Sequence, residues 1–159
     1  MELIYVSTQK NWQPPQPKRQ PYRLLSSPEE AFRIAQEGDC VYLDSGSHFT
    51  GNITVSSKKG LKIASIGPGH ALFDVGGTAG LIFRNCTDIL ICGIILKGNG
   101  FHSNHFGGLL LDACQNIQLL NLEITGYGLY GIQYQNTENL WIDGCCLYRN
   151  GSAGICAGT

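Results

Sequence analysis

An internal repeat in the second half of the chain constrains the fold more than any other feature. One copy, GLLLDACQNIQLLNLEITGYGLY, begins at Gly108, and the next, GIQYQNTENLWIDGCCLYRNGSA, begins at Gly131. A further start, GICAGT, follows at Gly154 after the same interval, and an earlier copy with a longer last loop begins at Gly80. Residues 52–79 form a more divergent copy. Self-similarity at a fixed period of this kind predicts a solenoid, in which each repeat packs only against its neighbours.

Each copy holds three short apolar segments that carry an apolar residue at every second position. In the copy that begins at Gly108 these predicted strands are Leu109–Leu111, Ile117–Leu119 and Leu122–Ile124. Apolar residues at every second position are typical of a strand with one buried face. A recurring corner separates the second strand from the third, and the residue types that occupy it accept a left-handed backbone. These corner residues are Gly93, Asn121 and Gly144. The pattern predicts an all-β chain folded as a parallel β-helix of about four to five coils.

The composition bounds the classes of partner. Of the 159 residues 43% are hydrophobic and 14% are charged, and the formal net charge is −1. Near-neutral charge argues against binding driven by electrostatics to nucleic acid or to an anionic membrane. No apolar run approaches the ~18 residues that a membrane-spanning helix needs. The start, MELIYVSTQK, has no basic region followed by an apolar one, so no signal peptide is visible.

The seven cysteines are predicted to be core residues and not ligands. An odd number cannot all pair within the chain, and no Cys-x-x-Cys or Cys/His ligand spacing occurs. We therefore expect no metal site and no cofactor. The repeat places Cys145 on the inward side of a strand and the adjacent Cys146 on the outward side. Cys86 and Cys114 stack in the turn after the first strand, which predicts free thiols there, with a disulfide between them as the alternative.

The chain is predicted to form one domain with three segments. Residues 1–26 comprise a strand and a proline-rich arm. Residues 27–38 form a helix with Ser27 as N-cap and Pro28 in the first position, and this helix caps the first coil. Residues 39–159 form the coils. Because the sequence stops inside a strand of a new coil, we expect further C-terminal coils or end-to-end self-association.

Several stretches resemble a known group of proteins. They are IYVST, PYRLLSSPEEAFRIAQEGDCVYLDSGSHFTGNI and the loop YRNGSAGI at 148–155. With them the chain resembles the N-terminal part of the right-handed parallel β-helix (pectin-lyase-like) superfamily, especially its secreted polysaccharide-active members. The resemblance implies a right-handed β-helix with an N-terminal capping helix, a saccharide partner, and an extracellular or cell-surface location. The superfamily also includes adhesins, tail spikes and intracellular scaffolds, so the resemblance does not specify an activity.

The first candidate site is a row of outward residues on the first strand of successive repeats, namely Arg84, Asp112 and Gln135. The resemblance implies that substrate lies along this face. A cation, a carboxylate and an amide in a row are suited to a uronate or a hydroxylated sugar. Asp112 is then the catalytic acid or base and Arg84 the charge stabiliser. The alternative is a surface ion pair of little energetic value. Hydrolysis normally requires two carboxylates, and only Asp112 is evident here.

The second candidate site lies along the loop KGNGFHSNHFGG and the equivalent loops of the next two repeats. Aromatic rings and histidines along one edge are suited to stacking on sugar rings and to hydrogen bonds with hydroxyl groups. The predicted substrate-binding residues here are His102, His105, Tyr127, Tyr130 and Arg149, in addition to Gln135. The alternative for Phe101 and Phe106 is that they pack the longer loop onto the coil.

The sequence thus predicts a carbohydrate-engaging β-helix from a protein of the polysaccharide lyase, hydrolase or epimerase kind. A non-catalytic structural, adhesive or protein-interaction module is the alternative. The residues leave open whether the chain is an enzyme; if it is, a polysaccharide lyase or a glycoside hydrolase is expected. The expected partner is a polysaccharide or oligosaccharide, with no nucleic acid and no membrane.

Overall fold

The computed structural model of this chain describes residues 1–15, 20–100 and 102–158. The N-terminal elements are β1 (Leu3–Val6), β2 (Tyr22–Leu25) and the helix α1 (Pro28–Ile34). The strands that follow in the described residues are, in chain order, β3 (Cys40–Asp44), β4 (His48–Phe49), β5 (Ile53–Ser56), β6 (Lys62–Ile66), β7 (Ala71–Gly76), β8 (Leu81–Arg84), β9 (Thr87–Cys92), β10 (Ile94–Gly98), β11 (Leu109–Asp112), β12 (Gln115–Leu120), β13 (Glu123–Thr125), β14 (Tyr130–Gln135), β15 (Glu138–Asp143), β16 (Cys146–Tyr148) and β17 (Ala153–Ala157).

The strands form three parallel sheets that the chain visits in rotation. Sheet A has seven strands in the order β15-β12-β9-β6-β3-β1-β2. Sheet B has five strands in the order β16-β13-β10-β7-β4, and sheet C has five in the order β17-β14-β11-β8-β5. From β3 onward the chain passes from sheet A to sheet B to sheet C and then returns to sheet A. This arrangement confirms a mostly parallel, all-β chain and is compatible with a β-helix solenoid.

The strand register follows the sequence repeat. In sheet C, Leu81 pairs with Leu109, Leu109 with Ile132, and Ile132 with Ile155. Each of these four residues lies next to the glycine that begins its copy, so the pairings reproduce the intervals between copies found in the sequence. Equivalent residues of successive repeats therefore lie side by side, about 4.8 Å apart.

The core is built from the inward residues of all three sheets. In sheet A, for example, Val41, Ile63, Ile91 and Leu119 stand next to one another in register, and each of them is 0% exposed. Burial of one such side chain contributes about 1.5–3 kcal/mol. The same aliphatic position in β15 is Ile142, which is half-buried. Alternation within short strands therefore supplies one continuous core, which is less covered at β15.

The corner between sheets A and B has the predicted backbone. Gly93, Asn121 and Gly144 have φ angles of 67°, 51° and 62°. A left-handed residue reverses the direction of the chain sharply, and glycine and asparagine adopt this conformation at the lowest cost. The recurrence of these types at one point of the repeat is explained by this corner.

The cysteines lie where the repeat predicts. Cys145 packs against the core and Cys146 is exposed, so the adjacent thiols lie on opposite sides of the strand. Cys86 and Cys114 are both buried and free. A hydrogen bond between these two thiols, together with burial, raises the pKa of Cys86, whereas the same hydrogen bond holds the pKa of Cys114 below its usual value. The structure therefore contains stacked free thiols at this position and not a Cys86–Cys114 disulfide.

The N-terminal segment differs from the sequence prediction in two ways. The helix starts as expected, with the hydroxyl of Ser27 accepting a hydrogen bond from the Glu30 amide at 3.2 Å, but it ends at Ile34 and does not reach residue 38. Strand β2, predicted as part of an extended arm, pairs with β1 and extends sheet A. Residues 16–19 of that arm lie outside the described residues.

Candidate functional site

The predicted row of outward residues is present on sheet C. Ser56 pairs with Arg84, Arg84 with Asp112, and Asp112 with Gln135. The register aligns these four residues across neighbouring strands, about 4.8 Å apart from strand to strand. Arg84 and Ser56 are exposed, while Asp112 and Gln135 are half-buried. We call these four residues the sheet C row.

Local sequence explains why the side chains of the row point outward. In β8 the buried residues are Leu81 and Phe83, both 0% exposed, so the alternate position Arg84 lies on the opposite face. A left-handed residue follows the row in each repeat; its φ is 52° at Asn85 and 53° at Ala113. The row therefore stands at the carboxyl ends of the strands, immediately before the corner to sheet A.

The charges of the row are not paired with each other. Among the described residues the ion pairs are Arg23–Glu2, Lys59–Glu37 and Lys97–Asp74, and Arg84 and Asp112 belong to none of them. The alternative interpretation, a surface ion pair between Arg84 and Asp112, is therefore wrong for this conformation. Within the described strands of sheet C, Asp112 is the only carboxylate.

The loop that contains His102 and His105, which we call the histidine loop, joins sheet C at the amino ends of its strands. It connects β10 to β11, and its His102 and His105 are exposed. Asp112 closes β11, whereas the loop precedes Leu109, and the strand between them spans about 10 Å. The histidines therefore lie along the same sheet as the row but near the opposite ends of its strands. Phe101 lies outside the described residues, and Phe106 is 48% exposed.

A residue that the sequence analysis missed holds this loop in place. Asn104 is 0% exposed, and its side-chain amide donates to the carbonyls of Gly76 at 2.8 Å and of Thr78 at 3.0 Å. Its Oδ1 accepts from the amide of Phe106 at 2.8 Å. Gly128 is its close neighbour, because a Cβ there would overlap the Asn104 carbonyl oxygen. The only sequence signal of Asn104 is an amide between the two histidines, which does not distinguish it from a surface residue.

Tyr127 requires a correction. It was predicted to present its ring to a saccharide, but it is 0% exposed and packs in the core. Its hydroxyl is buried without a hydrogen-bond partner among the described residues, and burial raises the pKa of this phenol. A Cβ added at Gly80 would lie 2.9 Å from the Tyr127 hydroxyl oxygen, and a Cβ added at Gly108 would lie 3.0 Å from the Tyr127 ring. Tyr127 is therefore a core residue, and it does not contact a ligand on the surface.

The two remaining predicted residues are accessible. Tyr130 is half-buried at the start of β14, and a hydrogen bond with Cys156 raises the pKa of its phenol. Arg149 is exposed and follows β16, with a φ of 53°. Both lie at the end of the sheet C strands where the chain arrives from sheet B. They are therefore at the same end as the histidine loop and not beside the sheet C row.

Two of the clefts among the described residues involve none of the predicted site residues. One, of about 420 Å³, is on sheet A and is lined by Asn116, Gln118, Asn139 and Trp141. The other, also about 420 Å³, lies at the corner between sheets A and B, and its chemically distinctive residues are His70, Cys92, Glu123 and Cys146. Neither cleft was predicted from the sequence.

Within residues 1–15, 20–100 and 102–158, no group of three or more histidine, cysteine, aspartate or glutamate side chains is placed to hold a metal ion. In the same ranges no helix has the length and apolarity needed to cross a membrane. No protein-family model, curated protein or solved structure matches this chain.

Proposed function

We propose that this chain is a right-handed parallel β-helix of the pectin-lyase-like kind and that it binds carbohydrate on the outer face of sheet C. Three parallel sheets visited in fixed rotation support the fold, as do the left-handed corners at Gly93, Asn121 and Gly144. The sequence stretches that resemble the superfamily point the same way. A solenoid of this type presents aligned rows of side chains, which suit an extended ligand.

The sheet C row is the observation that carries the binding proposal. It aligns a hydroxyl, a guanidinium, a carboxylate and an amide on neighbouring strands, in the order Ser56, Arg84, Asp112 and Gln135. Because Arg84 forms no ion pair with Asp112, its guanidinium is available for the carboxylate of a uronate, which it can bind with two parallel hydrogen bonds. Asp112 accepts hydrogen bonds from sugar hydroxyls, and Gln135 both donates and accepts.

These residues favour carbohydrate binding without catalysis. Glycoside hydrolysis commonly uses two carboxylates about 5–9.5 Å apart, and Asp112 is the single carboxylate in the described strands of sheet C. The histidine loop does not supply the partner, because it lies near the opposite ends of the strands. In this proposal Arg84 and Asp112 are binding residues, and the catalytic roles predicted for them are not needed.

Titration with an acidic oligosaccharide tests this proposal. We expect oligogalacturonate to bind, and Arg84→Ala to weaken its affinity by about 10-fold or more, the loss typical of a hydrogen-bonded charge pair. Lys10→Ala removes the same charge from an exposed site outside sheet C, so it should leave the affinity unchanged. Added salt should weaken binding to the unmodified chain. Equal affinity in the Arg84→Ala and unmodified proteins, or no binding by either, would contradict the proposal.

A further inference from the structure

An indole ring is exposed on the outer face of sheet A. Trp141 lies in β15 and is 64% exposed, whereas the inward residues on either side of it, Leu140 and Ile142, pack against the core. The ring thus takes the outward position of the strand, where the equivalent residue of β12 is Gln118. Tryptophan presents a large apolar face together with one N–H donor, and this combination is enriched at binding surfaces.

The ring stands at the edge of a cleft whose other walls are amides. The cleft has a volume of about 420 Å³, and its lining consists of Trp141, Gln118, Asn116 and Asn139. Ligand pockets for small molecules have volumes of about 300–1,000 Å³ and combine an apolar surface with a few polar groups. One aromatic face and three side-chain amides meet that description.

A ladder of side-chain hydrogen bonds fixes two of these amides. Asn139 donates to Asn116 at 2.9 Å, and Asn116 donates to Asp88 at 2.8 Å. All three residues are left-handed, with φ angles of 54°, 55° and 57°, so the chain holds them at the same point of successive repeats. Among the described residues, Oδ1 of Asn139 and the amide of Gln118 take part in no side-chain hydrogen bond with another residue. The cleft therefore offers donors and acceptors that are already positioned.

The charges around the cleft disfavour an anionic ligand. No lining residue is ionisable, while Asp88 ends the ladder and Asp143 follows on the same side of β15. The nearest cation in the same outward row is Lys62, which is two strands from Gln118. Lys62 also lies 5.6 Å from the ring centre of Tyr42. A neutral ligand with hydroxyl groups and an apolar face suits this environment best.

We propose that the cleft is a second ligand site and that it binds a neutral saccharide. The apolar face of a sugar ring lies on the indole of Trp141, and its hydroxyls bond to the amides of Gln118 and Asn139. The site belongs to sheet A, and it uses no residue of the sheet C row. This proposal stands on its own observations and does not depend on the function proposed above.

Tryptophan fluorescence provides a readout that is specific to this site. The chain has two tryptophans, and the other, Trp12, lies against Tyr5 with ring centres 6.0 Å apart. In a Trp12→Phe variant all tryptophan emission comes from Trp141. We expect neutral cello-, xylo- or galacto-oligosaccharides to shift this emission to shorter wavelength in a saturable manner, because a ring stacked on the indole excludes water.

Three variants separate the proposed contacts. Trp141→Ala should reduce the calorimetric affinity for the bound oligosaccharide by about 10-fold or more, and Trp141→Phe by less, because the phenyl ring keeps an aromatic face. Gln118→Ala should reduce it about 5-fold. Trp141 and Gln118 are both exposed, so these changes should leave the melting temperature nearly unchanged. Arg84→Ala should not affect neutral-sugar binding, just as Trp141→Ala should not affect oligogalacturonate binding.

The opposite results would overturn the proposal. One such result is the absence of an emission change at an oligosaccharide concentration of about 10 mM, which is above the Kd of an ordinary binding site. Another is an unchanged affinity in Trp141→Ala. A change produced only by oligogalacturonate would equally exclude a neutral-sugar site. A response of Trp141 to an added protein, with none to any sugar, would assign the face to a protein partner instead.

Discussion

The reactivity of a cysteine thiol in this chain depends on the side of the strand on which the cysteine lies. Cys145 and Cys146 are adjacent, yet one packs against the core and the other is exposed. Burial raises the pKa of Cys145, and this keeps its thiol protonated and unreactive near neutral pH. Cys86 is buried as well, and the hydrogen bond with Cys114 raises the pKa of its thiol further. Reactivity should therefore follow exposure.

Site-resolved alkylation checks this expectation. Under native conditions Cys146 should be modified first, and Cys86 and Cys114 should react only after unfolding, because a reagent cannot reach them. Denatured, unreduced protein should show seven titratable thiols. Cys146→Ser serves as the control and should abolish the fastest phase alone. Two missing thiols would instead indicate a Cys86–Cys114 disulfide, and fast native modification of Cys86 would show that the core is open there.

Single residues were predictable from the sequence only where the repeat fixes their side of a strand. The outward positions of Arg84 and Cys146 follow from alternation, and both are exposed. Tyr127 lies in an irregular connection between strands, where alternation gives no information, and its burial was missed. Trp141 also takes an outward position, but its sequence pattern does not distinguish it as part of a cleft, so this site was not predicted.

At the scale of elements, the buried side chain of Asn104 ties the histidine loop to the preceding repeat. Asn104 joins the loop to the carbonyls of Gly76 and Thr78 and holds the amide of Phe106. The sequence showed that this repeat is longer than its neighbours, which indicates an inserted loop. The anchor could not be predicted, because its hydrogen bonds join residues that lie in different copies of the repeat, far apart in the chain.

Replacing this anchor should free the loop while the sheets remain folded. Asn104→Ala removes three partly buried hydrogen bonds and leaves two carbonyls and one amide without these partners, so we expect it to lower the free energy of unfolding by about 2–4 kcal/mol. Hydrogen exchange at the Phe106 amide should become much faster, while exchange in β9 and β12 stays slow. Asn99→Ala changes an exposed asparagine of the same loop and should do neither. Unchanged exchange at Phe106 would show that other contacts hold the loop.

At the scale of the whole molecule, the repeat in the sequence was sufficient to predict most of the architecture. Apolar alternation predicted the strands, and the spacing between copies predicted their parallel register, which the pairing of Leu81, Leu109 and Ile132 confirms. The prediction was least accurate before residue 40, where the repeat is absent: β2 was assigned to an arm, and α1 was made longer than it is. Local propensity alone did not show that β2 would pair with β1.

Because each strand pairs only with the neighbouring strands of its sheet, the cost of a core substitution should depend on its position along the sheet. Ile91 and Ile142 test this, since both pair with Leu119 and occupy the same inward position. Ile91 lies between two strands and is 0% exposed, whereas Ile142 is half-buried. Ile91→Ala should cost about 3–5 kcal/mol in the free energy of unfolding, because it leaves a closed cavity.

Ile142→Ala should cost less than half as much, because its methyl groups are only partly removed from water. Chemical denaturation of the two variants beside the unmodified protein measures both values. Hydrogen exchange adds a second readout: Ile142→Ala should speed exchange in β15 and spare β6, while Ile91→Ala should affect the strands on both sides of β9. Equal costs for the two variants would mean that the sheets unfold as one unit in which position does not matter, contrary to stabilisation by neighbouring strands alone.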